Sequence, residues 1–141
     1  MRFLAVVITG LAVIAPAAHA FVLPNKIRLP KAEYFTVQQI YNGWWIIGLL
    51  LPIAFLANGA NAIWLRNDRV SLILSVAAAA LILANLAIFA LFTQPANAVT
   101  QNWTVQPENW EALRIQWEYS HAANAVITFL AFCCAALACV R

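Results

Sequence analysis

Between Val70 and Phe92 the chain reads VSLILSVAAAALILANLAIFALF, without one charged residue. A helix of that length rises about 35 Å at roughly 1.5 Å per residue, enough to cross bilayer hydrocarbon about 30 Å thick. The apolar character is continuous, with no alternation at period two. A membrane barrel is therefore excluded, since eight strands would need about 80 residues of alternating pattern. The stretch reads as a membrane-spanning helix, and Arg66-Asn67-Asp68-Arg69 marks where it begins.

Working outward, three more uncharged runs have the same character. FLAVVITGLAVIAPAAHAFVLPN lies between Arg2 and Lys26, a second run extends from Tyr34 to Leu65, and a third from Tyr119 to Val140. The expected fold is all-α: an integral membrane four-helix bundle forming one domain over residues 1–141. Spans are expected at residues 3–23, 43–65, 70–92 and 119–140, with an interfacial helix at 31–42 and an external loop at 93–109. Composition agrees, with 65% hydrophobic residues, 9% charged residues and a mean hydropathy of +0.80. A soluble domain carries about 25% charged residues, so a water-soluble globule is excluded. The formal charge of +3 is small and scattered, which excludes a nucleic-acid partner. Cys133, Cys134 and Cys139 all fall in the last apolar run, where they read as small hydrophobes.

The first run has a second reading. Arg2, the apolar stretch and Ala18-His19-Ala20 before Phe21 have the form of a secretory signal peptide. The apolar part is longer than a usual signal core, so retention as a span is expected. Pro52 should kink the second helix. Gly43, Gly48, Ala57 and Gly59 are expected to permit close helix packing, and Asn58, Asn61 and Asn85 to hydrogen-bond between helices. Arg2, Arg66, Arg69 and Arg141 fall on one side of the membrane, and Lys26, Arg28, Lys31 and Arg114 on the other. That tie leaves the short positive link at 66–69 and the export-like N-terminus to decide. Both place the two termini in the cytoplasm, in a plasma (inner) membrane.

Candidate chemistry gathers at the opposite side. In ENWEALRIQWEYSHAAN, Trp110, Arg114, Trp117, His121 and Asn124 recur at intervals of 4, 3, 4 and 3, which places them on one stripe of a helix. An ionisable side chain inside a span marks a functional site, so His121 is the candidate catalytic base. Arg114 is its candidate catalytic partner, making the site electropositive. Arg114 and Glu118 at i,i+4 also read as a simple helix ion pair. Trp110 and Trp117 would stack on an aromatic substrate, with Asn124, Tyr41, Gln38, Asn97, Trp103 and His19 as further binding residues at the same level. Five of the six tryptophans fall on this side, which argues for a pocket at the outer mouth rather than an ordinary two-sided aromatic belt. Glu118-x-x-His121 has di-iron spacing but occurs once, where such centres need two copies and two more glutamates. No metal is expected.

The segments PNKIRLPKAEYFTVQQIYNGWW, Gln94-Pro95-Ala96-Asn97 and NWTVQPENWEALRIQWEYSHAAN resemble the anthrone oxygenase-like family of small four-helix membrane proteins. The resemblance implies oxidation of a lipophilic anthrone to a quinone by O2, without metal, flavin or other cofactor. Fungal relatives tend to carry a further basic residue after the histidine, where this chain has Ala122, Ala123 and Asn124, so the substrate stays open. Two functions are expected side by side. One is a cofactor-independent oxygenase or oxidoreductase acting on a lipophilic phenolic or quinone-like molecule. The other is a non-catalytic membrane subunit or assembly protein that docks a partner through its external loops. The partners implied are the lipid bilayer, a lipophilic small molecule, and either further copies of the chain or a larger membrane complex.

Overall fold

Asp68 opens the helix that the uncharged run announces. In the computed structural model, which describes Met1–Arg141, its carboxylate accepts hydrogen bonds from the backbone N–H groups of Val70 and Ser71 at 3.2 and 3.3 Å. The Ser71 hydroxyl adds a third at 2.6 Å. These bonds satisfy donors that a helix start leaves orphaned. They also hold the exposed Asp68 carboxyl below its usual range, Ser71 contributing most.

There are five helical bodies and no strand: α1 (Arg2–Lys26), α2 (Lys31–Gln38), α3 (Trp45–Trp64), α4 (Arg69–Val99) and α5 (Trp110–Val140). All but α2 are long and apolar enough to cross a membrane. Each long helix packs on its neighbour in sequence, and α1 closes the ring by packing along α5. The seams are built from small residues, among them Ala5, Ala12, Ala54, Ala78, Ala131 and Ala138. Large side chains such as Phe3, Leu56, Ile63, Leu83 and Phe129 point outward instead. Small residues inside and large apolar ones outside suit a bundle solvated by lipid, where close backbone approach provides the packing. The architecture is that of a multi-pass membrane protein.

Three helix details depart from the sequence expectation or sharpen it. The α3 helix breaks at Leu49, between segments Trp45–Gly48 and Leu50–Trp64. Pro52 is the cause, since it has no N–H to offer the Gly48 carbonyl four residues back. The α4 helix does not stop near Phe92 but runs on to Val99, through a π-helical turn at Phe89–Thr93. Pro95 follows that turn, and the wider π geometry tolerates the N–H it lacks. The loop expected at 93–109 therefore starts only at Thr100. In it Gln101, Asn102 and Trp103 hold φ values of 48°, 55° and 64°, three successive non-glycine residues in the left-handed region. Such a run is costly and persists only where the surroundings determine it.

The expected asparagine bonds form. Asn58 donates to Thr9 Oγ1 at 2.8 Å, Asn61 to Ser75 Oγ at 3.1 Å, and Asn85 to Thr128 Oγ1 at 2.6 Å. They tie α3 to α1, α3 to α4, and α4 to α5. The expectation for the glycines fails. Gly43, Gly48 and Gly59 face open space, and Ala57 is only half-buried. Gly43 serves its turn by adopting φ +87°. The close approach occurs at Gly10, where a Cβ would stand 3.2 Å from the Phe132 ring of α5.

The short helix expected at 31–42 forms over Lys31–Gln38 and has a buried face. Tyr34, Phe35 and Gln38 of α2 are buried, and Tyr34 and Phe35 pack with Ala96, Trp103, Leu113 and Trp117. The aromatic face of α2 finds these side chains at the end of the bundle, so the helix caps the mouth and exposes only Ala32, Glu33 and Thr36.

Candidate functional site

Beneath that cap lies a cavity of about 750 Å³. Ligand sites of about 300–1,000 Å³ are the usual size for small molecules. Every long helix contributes to its wall. His19 comes from α1, Trp44 from the turn before α3, Asn97 from the far end of α4, Trp103 from the left-handed loop, and Trp117 and His121 from α5. The α3 break matters here, because it lets Gly48 and Leu51 face the space. So does the π turn of α4, which sets Phe89 and Gln94 against it.

The aromatic lining has a definite order. The His19 and His121 rings lie 4.1 Å apart between centroids, tilted by 31°. Trp117 meets His121 edge-on at 4.2 Å and His19 at 4.8 Å. Tyr41 stands 4.2 Å from His19. Trp117 is itself fixed by an indole N–H donated to Asn97 Oδ1 at 2.8 Å. Neither imidazole has a hydrogen bond to any protein group, and His19 Nδ1 is fully buried. Buried polar groups are nearly always paired, so the unpaired Nδ1 of His19 is an exception that needs a reason; the half-buried His121 ring beside it adds a second imidazole without a protein partner. No third His, Cys, Asp or Glu joins them in a cluster able to hold a metal ion.

Eight of the residues singled out in the sequence line this space: His121, Trp117, Asn124, Tyr41, Gln38, Asn97, Trp103 and His19. Arg114 and Trp110 do not. Arg114 donates from Nη1 to the Leu29 carbonyl at 2.9 Å, and its guanidinium lies 4.5 Å above the Trp110 ring. Together they brace the loop between α1 and α2 from outside the cavity. The ion pair expected between Arg114 and Glu118 is not the one that forms.

Glu118 pairs with Lys26 instead, at 2.9 Å, and both are buried, Lys26 being 3% exposed and Glu118 0%. Tyr34 donates its hydroxyl to the same Glu118 oxygen at 2.9 Å. Gln38 donates from Nε2 to the Tyr34 oxygen at 2.7 Å and accepts from Lys26 Nζ at 3.1 Å. Lys26 also donates to the Tyr41 hydroxyl at 3.4 Å and sits 4.7 Å over the Trp117 ring. Burial first, and Glu118 second, raise the Tyr34 hydroxyl above its usual range and push that of Tyr41 up to about 12. In the sequence Lys26 reads only as a charge flanking the first span. The signal was its position seven residues after His19, two turns along the same face of α1.

Comparison with models of protein families, with curated proteins and with solved structures finds no match.

Proposed function

We propose that this protein is a membrane-embedded oxygenase for a flat, lipophilic phenolic or quinone-like molecule, working without a cofactor. The supporting observation is the pair of imidazoles, free of protein hydrogen bonds, inside an aromatic cavity open to residues of all four spans. In this reading the guest stacks among Trp44, Trp103 and Trp117, and His121 takes a proton from an activated methylene flanked by aromatic rings. The carbanion reduces O2 and forms a C–O bond. Protonation gives a hydroperoxide, which loses the second methylene hydrogen as its O–O bond breaks, leaving a carbonyl and one water. One O2 is consumed per carbonyl formed. Arg114 braces the α1–α2 loop from outside the cavity, and the cation beside the site is Lys26.

Anthrone is the substrate to try, with the purified protein in mild detergent. The expected result is uptake of one O2 per quinone produced, together with a hydrophobic aromatic retained through purification and seen by mass spectrometry. A retained aromatic without O2 uptake would replace the oxygenase by a binding protein, the role a non-catalytic subunit would have.

The same reading places both termini in the cytoplasm of a plasma membrane and the cavity on the outer side, on the strength of the short positive link Arg66–Arg69. Asn67→Cys and Gln106→Cys, each in a chain lacking Cys133, Cys134 and Cys139, test it in intact cells. An impermeant thiol reagent is expected to label the second and not the first; the reverse pattern would invert the orientation.

A further inference from the structure

We infer that Tyr41 donates a hydrogen bond from the cavity wall to a carbonyl or oxyanion oxygen on a flat aromatic guest, with Lys26 as the residue that orients it. The inference rests on reading the cavity as a ligand site and adds a second chemical pole to it, apart from the imidazoles.

An ammonium group only donates, and it has three hydrogens. Lys26 Nζ has three acceptors within reach: Glu118 Oε1 at 2.9 Å, Gln38 Oε1 at 3.1 Å and the Tyr41 oxygen at 3.4 Å. Lys26 is therefore saturated, with no hydrogen left for a ligand. Because the Gln38 oxygen faces Lys26, its amide nitrogen faces Tyr34 and donates to that hydroxyl at 2.7 Å. Tyr34 must then spend its own hydrogen on Glu118, which as a carboxylate only accepts. Every direction in this part of the network is fixed by donor chemistry.

One hydrogen is left over. The Tyr41 oxygen accepts from Lys26, and no protein acceptor lies within hydrogen-bond distance of its own O–H. Tyr41 lines the cavity, with its ring against His19. Its hydroxyl remains protonated across the working pH range, since burial and Glu118 push it up to about 12. A phenol that accepts from an ammonium is polarised toward donation, because hydrogen bonds in a chain strengthen one another. Such a donor matches an acceptor oxygen, the feature common to an aryl ketone, a quinone and a phenolate.

9-Fluorenone tests the pairing, because it is flat and its only polar atom is a carbonyl oxygen. Fluorene, the same ring system without that oxygen, is the control. Tyr41→Phe keeps the ring and its packing. It is expected to weaken fluorenone binding about tenfold, the effect of one lost buried hydrogen bond, and to leave fluorene binding unchanged. The carbonyl stretch of bound fluorenone should lie at lower frequency in the wild type and return to its unbonded position in Tyr41→Phe. Lys26→Met combined with Glu118→Leu removes both charges together, and should move the stretch part of the way back, a shift that loss of packing alone does not produce. If Tyr41→Phe binds both probes as the wild type does, with the stretch unmoved, the role of Tyr41 is overturned while the cavity remains a ligand site. If the wild type binds neither probe, the ligand-site reading fails, and this inference with it.

Discussion

His121→Ala is expected to leave the bundle folded and to reduce ligand retention at least tenfold, with loss of any O2 uptake. The expectation follows from what His121 touches. It makes no hydrogen bond to the protein, and its ring contacts are those with Trp117 at 4.2 Å and His19 at 4.1 Å. Losing such aromatic pairing costs the fold about 0.5–1.5 kcal/mol. A hydrogen bond to a buried guest is worth about 1–3 kcal/mol, which is tenfold or more in affinity. Asn58→Ala is the opposite case. Asn58 lies away from the cavity and ties α3 to α1 through Thr9, so its loss should lower the melting temperature in detergent, by the ~1 kcal/mol typical of an interhelical bond, and spare the ligand. Asn85 is a poorer control, because it bonds Thr128 and also faces the cavity. Were His121→Ala to leave ligand retention and O2 uptake unchanged, whatever its effect on the melting temperature, His121 would be a packing residue and the base of the proposed reaction would be lost.

Glu118→Ala should have the largest effect on folding. It strands the Lys26 ammonium, which is almost wholly buried, with only the neutral Gln38 and Tyr41 oxygens as partners. Breaking one side of a buried ion pair costs about 3–5 kcal/mol. That is a large share of the roughly 5–15 kcal/mol by which a domain is stable. Lys26→Met with Glu118→Leu, by contrast, removes both charges and supplies apolar volume, and should recover most of the loss. Thermal unfolding in detergent measures both variants. A Glu118→Ala protein as stable as the wild type would mean that Lys26 reaches solvent and that the pair is not part of the interior.

The spans were legible because lipid imposes a demand on every residue of a helix at once: some twenty consecutive residues must be apolar, whatever they pack against. The asparagine ties were legible for a related reason, since an amide inside a span has no water to bond and must find a neighbouring helix. The stripe Trp117, His121 and Asn124 was readable from helical periodicity alone, and it does face the cavity. Arg114 and Trp110 share that period yet miss the cavity, because they lie in the first turns of α5, alongside the α1–α2 loop, where the Leu29 carbonyl draws the guanidinium away.

Periodicity places a side chain on a face of its own helix and is silent about what stands opposite. That is why Lys26, at the end of one span, and Glu118, near the start of another, gave no sign in the sequence of being partners 2.9 Å apart. The burial of α2, the left-handed run at Gln101–Trp103 and the π turn at Phe89–Thr93 are of the same kind. Each is a local cost or a local ambiguity resolved by contacts distant in the chain. Membrane fold and helix count follow from hydropathy, a sum over neighbours in sequence. The shape of the cavity, the choice of Lys26 over Arg114 as the buried cation, and the unspent hydrogen of Tyr41 follow from which helices meet, and tertiary packing alone decides that.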